Sequence, residues 1–245
     1  INGLENDILS KINFFADDTM LYSIVTNPLQ TSIDLNRDLD TINKWAYQWK
    51  MAFNPEPSKQ AIELLFSQKK KPIQHPPLYF NGFEIARSSE HKHLGLILDS
   101  KLTFSSHVYE KIQKAQKSIG VLKFLSSYLP LKTLDQIYKL FTRSQFDYCD
   151  VIYHTPASLN LFDSSFCLSP LMEKIEHIQY HAARVITGTW KGTSMNKLYD
   201  ELGSESMSDR RWSRRLIHFF KIHINLTPSY LRDALPPKRR MLYGR

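Results

Sequence analysis

Two adjacent aspartates, Asp17 and Asp18, have the residue type and spacing that most directly suggest chemistry in this sequence. Hard divalent cations such as Mg²⁺ prefer carboxylate oxygens as ligands. Two such cations can clamp the attacking and leaving oxygens of a phosphoryl transfer. A turn between strands also favours aspartate for purely structural reasons. The pair alone is therefore consistent with either a metal site or an ordinary turn.

The segments that flank the pair predict a β-hairpin with the carboxylates at its tip. Lys11 to Ala16 and Met20 to Val25 are short, apolar and rich in aromatic or β-branched residues, and a polar break separates them. Such a break joins two strands. The carboxylates would then be exposed on a rigid base.

A helix should follow the hairpin. Thr31 with Asp34 resembles a capping box, and the prolines at positions 55 and 57 end the helix. Its inward face is predicted from apolar residues at spacings of four and three: Leu35, Leu39, Ile42, Ala46 and Trp49. We expect Trp45, Trp49 and Trp190 to pack in the core rather than to stack on bases.

Further strands precede a helical second half, which predicts an α+β fold. Ala61 to Ser67 reads as a strand, and Asn81-Gly82 predicts a hairpin between apolar stretches. His93 to Leu98 reads as a strand with Gly95 inside it, which marks either a bulge or a close backbone approach. His91 and His93 could contact a nucleic-acid backbone or form a plain edge-strand pair.

Four helices are predicted after residue 100, broken by Pro130 and by two loop-like stretches, and the second of them runs from about Leu131 to Tyr153. The first three have inward residues at helical spacing: Val108, Ile112, Ala115, Ile119 and Leu122; then Leu134, Ile137, Phe141 and Tyr148; then Ile175, Ile178, Ala182 and Val185. The fourth covers about residues 209–224 and carries Trp212, Leu216 and Phe219 on its apolar face.

Phe15-Ala16-Asp17-Asp18 resembles the active-site motif of reverse transcriptases of retrotransposons without long terminal repeats (LINE-like, jockey-type elements). Other segments resemble that family in the same order. Residues 1–4 are similar to the lead-in to this motif, residues 54–67 to the next palm motif with Lys59 at its basic position, and residues 93–99 to the primer-grip hairpin. The resemblance implies a partial polymerase palm over residues 1–100, a helical thumb over 101–155 and a basic helical extension over 156–245.

The resemblance also implies an activity, RNA-templated DNA synthesis from deoxynucleoside triphosphates. Asp17 and Asp18 would bind Mg²⁺, Lys59 would assist at the triphosphate, and Leu94 and Gly95 would lie near the primer end. The implied partners are an RNA template, a DNA primer and nucleotides, with no membrane and no small organic cofactor. The two cysteines form no zinc cluster or disulfide framework, so an intracellular location, in nucleus or cytoplasm, is expected.

The family requires a third aspartate from an upstream strand, and neither Glu5 nor Asp7 matches that position. We therefore expect a fragment that is inactive by itself, since phosphoryl transfer depends on positioned charge. One alternative is a catalytically dead nucleic-acid-binding remnant of a mobile element. A metal-dependent nuclease would also use paired carboxylates, but the thumb-like segment disfavours it.

The net charge of +8 is concentrated towards the end of the chain, where residues 201–245 carry ten Lys and Arg against four Asp and Glu. Such a distribution is compatible with a polyanion-binding tail. Arg210, Arg211, Arg214 and Arg215 lie on one predicted helix. They could contact phosphates, or they could form a solvated basic face, which is the commoner arrangement.

Overall fold

The computed structural model describes residues 4–16, 18–51, 53, 61–153 and 170–236, without the side chains of residues 5 and 6. The chain divides into two compact units, Ile1–Thr103 and Phe104–Arg245. Strands and one long helix make up the first unit, and the described part of the second is helical. This mixture agrees with the predicted α+β class, and the boundary falls three residues after the predicted end of the palm-like region.

The first unit is built around α1, which spans Pro28–Gln48. Asn27 caps the helix, because its side chain accepts hydrogen bonds from the backbone N–H groups of Leu29 and Gln30, and Pro28 occupies the first turn. The predicted start at Thr31 is therefore wrong by one turn. Asp38 is fully buried on α1 and accepts hydrogen bonds from the backbone N–H groups of Leu9 and Ser10.

In the described residues of this unit, eight short strands form four two-stranded ladders. Their bounds are Lys11–Phe15 (β1), Asp18–Tyr22 (β2), Ile62–Leu64 (β3), Tyr79–Phe80 (β4), Phe83–Glu84 (β5), Ala86–Ser88 (β6), Glu90–His93 (β7) and Leu96–Asp99 (β8). Three ladders are antiparallel hairpins, β1–β2, β4–β5 and β7–β8. The fourth pairs β3 with β6 in parallel, which the sequence did not predict.

The predicted hairpin at Asn81-Gly82 is confirmed. Tyr79 pairs with Glu84 and Phe80 pairs with Phe83, so that the two remaining residues form the turn. Both turn residues have positive φ, 51° at Asn81 and 79° at Gly82. That conformation matches the twist of the strands and explains why this dipeptide is a strong hairpin signal.

The second unit begins with α2, Ser105–Leu125, whose predicted inward face is confirmed. Val108, Ile112, Ala115, Ile119 and Leu122 are all buried. Helix α2 packs against α6, which spans Pro170–Thr187 and buries Ile175, Ile178 and Ala182 as predicted. Ile186 is buried instead of Val185.

The helix predicted from Leu131 to Tyr153 is interrupted twice. It consists of α3 (Leu131–Ile137), a π-helical segment (Tyr138–Arg143), α4 (Ser144–Asp147) and, after a break, α5 (Asp150–Tyr153). A π-helix has more residues per turn than an α-helix, so side chains four apart keep facing the same way. The buried series is accordingly Leu134, Tyr138, Thr142 and Phe146. The prediction that Phe141 and Tyr148 point inward is wrong.

Three more helices complete the described part of the second unit: α7 (Met195–Leu202), α8 (Met207–His223) and α9 (Ser229–Asp233). Helix α7 was not predicted, and its Leu198 and Tyr199 form a buried cluster with Ala183 of α6. Within the described residues, no helix is both long and apolar enough to span a membrane.

Two of the three tryptophans expected in the core are exposed. Trp49 follows the end of α1 with 62% of its surface exposed, and Trp190 in the loop between α6 and α7 is 88% exposed. Trp45 is half-buried. The apolar spacing of four and three residues along α1 therefore gives a wrong prediction at its last member, Trp49, because α1 has already ended there.

Candidate functional site

The hairpin formed by β1 and β2 presents the acidic motif at its turn. Lys11 pairs with Tyr22 at the open end, and Phe15 pairs with Asp18 at the closed end. Ala16 has a φ of 54°, so the chain reverses over only two residues. Asp18 is exposed at this end, as the sequence predicts. Asp17 lies outside the described residues, so the structure gives no distance between Asp17 and Asp18.

Strand β7 lies close enough to the acidic turn for Asp18 to influence His91. Partial burial lowers the pKa of His91 below its usual value, and the nearby His93 lowers it further, whereas the carboxylate of Asp18 opposes both effects. The rings of His91 and His93 are 6.4 Å apart, on the same side of β7. The two segments that resemble the active-site motif and the primer grip are therefore neighbours within this unit.

Leu94 and Gly95 form the turn between β7 and β8. His93 pairs with Leu96, and the two intervening residues have φ values of 46° at Leu94 and 81° at Gly95. The predicted single strand from His93 to Leu98 is therefore wrong, because the chain reverses in its middle. Gly95 marks a tight turn and not a bulge, and a residue with a Cβ would be strained there.

The acidic turn carries the kind of ligand atom that Mg²⁺ prefers, carboxylate oxygen. Asp18 offers exposed carboxylate oxygens, and Mg²⁺ is commonly held by one or two carboxylates while phosphates and water complete its shell. Among the described residues, no three His, Cys, Asp or Glu side chains gather into a group that could hold a metal ion. Lys59, the predicted triphosphate contact, lies outside the described residues.

Comparison with known proteins gives a family relationship. The chain is 25% identical over 209 residues to a probable RNA-directed DNA polymerase from transposon X-element of Drosophila melanogaster, which covers 80% of this chain. It is 32% identical over 121 residues to the RNA-directed DNA polymerase from mobile element jockey of the same fly, and 25% identical over 179 residues to that of Drosophila funebris; these alignments cover 49% and 71% of this chain.

The chain is related to the reverse transcriptases of non-LTR retrotransposons. It spans only a small part of those proteins, 20% of the X-element polymerase and 12% and 19% of the two jockey polymerases. No family profile and no solved structure matches the chain. The resemblance seen in the sequence is thereby confirmed at the level of the family.

The four arginines of α8 do not form a shared exposed face. Arg210 makes a bidentate ion pair with Asp147, with Nε 3.0 Å from Oδ1 and Nη2 2.8 Å from Oδ2. Arg214 donates from Nη2 to the backbone oxygen of Asp147 at 2.9 Å and lies 3.0 Å from Asp150 through Nε. Arg215 is half-buried.

Arg211 is in the core, with only 1% of its surface exposed. Its guanidinium donates to the backbone oxygen of Phe146 at 3.1 Å and to the Oη of Tyr153 at 3.0 Å, and it lies 5.1 Å from the centre of the Tyr153 ring. A second nitrogen lies 2.8 Å from the sulfur of Met172. The predicted solvated or phosphate-binding face is therefore wrong for Arg211.

The orientation of α8 is the opposite of the one predicted. Trp212, Leu216 and Phe219 were expected to face inward, but they are 39%, 49% and 55% exposed.

The buried carboxylate of Asp150 explains why α8 turns its basic side inward. Asp150 is 1% exposed and lies near Arg214 and Arg211, and a buried charge is tolerated only where it is paired. Desolvation raises the pKa of Asp150, and these two guanidinium groups hold the increase down.

A group of cationic side chains that was not predicted from the sequence gathers around His181, and its Arg184 contacts the backbone of Trp190. Partial burial lowers the pKa of His181, and so do the positive charges of Arg184, Lys123 and Lys191. Each of these residues looks like an ordinary surface residue of its own helix or loop. Only the packing of α2 against α6 brings Lys123 near the other three.

Proposed function

We propose that the chain is part of a reverse transcriptase, which copies RNA into DNA from a primer by two-metal nucleotidyl transfer. The observation that carries the proposal is the β1–β2 hairpin, which exposes Asp18 beside its turn in a chain related to RNA-directed DNA polymerases. The proposed partners are an RNA template, a DNA primer and deoxynucleoside triphosphates. We further propose that residues 1–100 are part of the palm, 101–155 the thumb and 156–245 a helical extension.

Asp17 and Asp18 would hold Mg²⁺ in this proposal. When bound, the metal would supply positive charge for the phosphoryl oxygens of the incoming nucleotide. The hairpin would hold the backbone of Asp18 at one place, because Asp18 is paired with Phe15 at the closed end of the ladder. Lys59 would steady the triphosphate through its ammonium group.

The turn of Leu94 and Gly95 would contact the end of the primer. This assignment is supported by the proximity of its strand β7 to Asp18 through His91. A positive-φ glycine lets a nucleic-acid backbone approach without a Cβ in the way. In α8 we propose phosphate contact only for Arg215, because Arg211 is buried and Arg210 and Arg214 are engaged by Asp147 and Asp150.

Iron-mediated cleavage would test the metal site without requiring catalysis. Fe²⁺ can occupy oxygen-rich Mg²⁺ sites and, with peroxide and ascorbate, cuts the backbone close to where it is bound. We expect cuts near residues 15–20 and, because β7 is adjacent, near residues 90–95. Excess Mg²⁺ and the double substitution Asp17→Asn/Asp18→Asn should suppress both. The exposed pair Asp40→Asn/Asp233→Asn is the matched control and should leave the cuts unchanged. Cuts that persist in the Asp17/Asp18 variant would refute the assignment.

A nucleic-acid-binding remnant is the second candidate, and it is favoured by the excess of Lys and Arg over Asp and Glu in residues 201–245, ten against four. Both candidates predict no primer extension by these residues alone, because a third carboxylate is required by the resemblance. They differ in the cleavage experiment: the remnant would bind RNA but show no cuts that depend on Asp17 and Asp18. Templated extension by the pure chain with Mg²⁺ would contradict the need for a third carboxylate.

A further inference from the structure

We propose that the surface around the loop between α6 and α7, residues 188–194, binds single-stranded RNA. The surface consists of Trp190, Lys191, His181, Arg184 and Lys123. The proposal rests on the proposed function in so far as that function supplies RNA as the occupant. It adds a contact surface in the second unit whose residues differ from those of the acidic turn and from the arginines of α8.

The cationic side chains converge from three segments of the fold. Lys123 lies in the last turn of α2, His181 and Arg184 lie three residues apart on α6, and Lys191 lies in the loop. Residues three apart on a helix are neighbours on its surface. All the charged groups that act appreciably on His181 in the described part of the chain are positive. Lys123, His181 and Lys191 are exposed, so a polyanion can reach them.

Trp190 is presented by an ordered loop. The Oγ1 atom of Thr193 donates to the backbone oxygen of Trp190 at 3.0 Å, and Arg184 donates from Nε to the same oxygen at 3.3 Å. The Oη of Tyr180 donates to the backbone oxygen of Thr193 at 2.9 Å. Gly188 on one side of Trp190 has a φ of 68°, which allows the chain to leave α6 sharply. These hydrogen bonds constrain the loop without a ligand, and such preorganisation lowers the entropic cost of binding.

This combination fits single-stranded nucleic acid better than another polyanion. Base stacking on an aromatic ring is worth about 1–3 kcal/mol per base and tolerates any sequence, and neighbouring cations hold the phosphates. An indole that is 88% exposed has a free face for a base. An acidic peptide would satisfy the cations but would leave the indole largely exposed to water. The bases of a duplex are already stacked and could not reach it.

RNA binding by the whole chain, measured by fluorescence anisotropy with a labelled single strand of about twelve nucleotides, tests the proposal. Trp190→Ala should weaken binding by about tenfold, in line with the loss of one stacked base. The matched control is Trp49→Ala, which removes an exposed tryptophan of the other unit and should change the dissociation constant by less than about twofold. Circular dichroism checks that both variants fold, which is expected because both indoles are exposed.

The cationic part of the surface has its own matched pair of variants. Lys123→Ala/Lys191→Ala should reduce the slope of log affinity against log salt by about 1.4, since each phosphate contact on a single strand contributes about 0.7. Lys132→Ala/Lys221→Ala removes the same charge from exposed positions of α3 and α8 and should alter the slope much less. Single-stranded DNA should behave like RNA, because phosphates and base faces are common to both, and duplex RNA should bind more weakly.

Equal affinities for Trp190→Ala and Trp49→Ala, together with equal salt slopes for the two lysine pairs, would overturn the proposal. So would displacement of RNA by polyglutamate whose own binding depends on Trp190, because the occupant would then be an acidic peptide. The result is distinguishable from that of the iron cleavage experiment. If the unchanged chain shows no cuts at the acidic turn, or if the cuts persist in the Asp17→Asn/Asp18→Asn variant, the polymerase assignment fails while RNA binding at Trp190 is unaffected, and the reverse also holds.

Discussion

Individual charged residues in this chain cannot be assigned to solvent or to a ligand from their type alone. Arg211 and Arg215 are four residues apart on α8, yet the first is in the core and the second is half-buried. Trp190 and Trp49, which resemble core residues in the sequence, are largely exposed. Arg211 lies near a buried partner that is distant in sequence, the carboxylate of Asp150.

Arg211→Met should destabilise the second unit strongly. The substitution keeps most of the volume but leaves the carbonyl of Phe146 and the hydroxyl of Tyr153 without this donor, and it removes a positive charge near buried Asp150. Breaking one side of a buried charged network costs about 3–5 kcal/mol. Urea unfolding at neutral pH should show that loss. Arg232→Met, at an exposed arginine of α9, is the control and should stay within about 0.5 kcal/mol of the parent. A similarly small loss for Arg211→Met would show that the core tolerates an apolar replacement.

His181 should make RNA binding pH-dependent. Partial burial and then Arg184, Lys123 and Lys191 lower its pKa, so the imidazole of the free protein is largely neutral at pH 7. A bound phosphate favours the imidazolium, which means that the complex takes up a proton and affinity rises as the pH falls towards the lowered pKa of His181. Anisotropy titrations from about pH 5 to about pH 7.5 should show this rise, and His181→Gln should reduce it. An unchanged pH profile in the variant would place the phosphates away from His181.

At the scale of elements, the features set by neighbouring residues were predictable. The hairpins at Asn81-Gly82 and at the acidic motif follow from turn chemistry and alternating strands, and the inward face of α2 follows from its regular spacing. The failures occurred where distant residues decide. The π-helical segment at Tyr138–Arg143 changes which side chains of its helix are buried, and no local pattern announces it.

Helix α8 shows the same limit more sharply. Its sequence has an apolar side and a basic side, and the rule that apolar residues face the core chooses the wrong one. The choice is made by Asp147 and Asp150, about sixty residues earlier, whose carboxylates draw the guanidinium groups inward. The candidate site could likewise be located from its motif, whereas the adjacency of β7 to Asp18 could not, because it depends on tertiary packing.

The inverted orientation of α8 predicts an unusual pattern of mutational sensitivity. Ile217→Ser/Phe220→Ser removes two large apolar side chains that are more than half exposed and should change the free energy of unfolding by less than about 1 kcal/mol. Met207→Ala, at the buried start of the same helix, should cost about 2–5 kcal/mol. Thermal and urea unfolding of the two variants would measure the contrast. If the double variant costs as much as Met207→Ala, the apolar side of α8 is covered in solution.

At the scale of the whole molecule, the charge is divided very unequally between the two units. Residues 1–103 contain eleven Lys and Arg against twelve Asp and Glu, and residues 104–245 contain twenty-one against twelve. The first unit therefore has a net charge of −1 and the second has +9. A polyanion should be attracted mainly to the second unit, whereas the first unit bears the acidic turn, where a divalent cation would have to offset the repulsion between carboxylate and phosphate.

This division predicts where RNA is crosslinked. Ultraviolet irradiation of the chain with single-stranded RNA, followed by mass spectrometry of the crosslinked peptides, should give most adducts within residues 104–245 when Mg²⁺ is absent, with Trp190 among them. Adding Mg²⁺ should increase the fraction within residues 1–103, because the cation lowers the repulsion at Asp17 and Asp18. Asp17→Asn/Asp18→Asn should raise that fraction even without Mg²⁺ and remove most of the response to the metal. Since both units are present in every sample, each serves as the internal reference for the other. Adducts concentrated around Lys69, Lys70 and Lys71 without Mg²⁺ would contradict the prediction, because a local basic loop would then outweigh the charge of the unit.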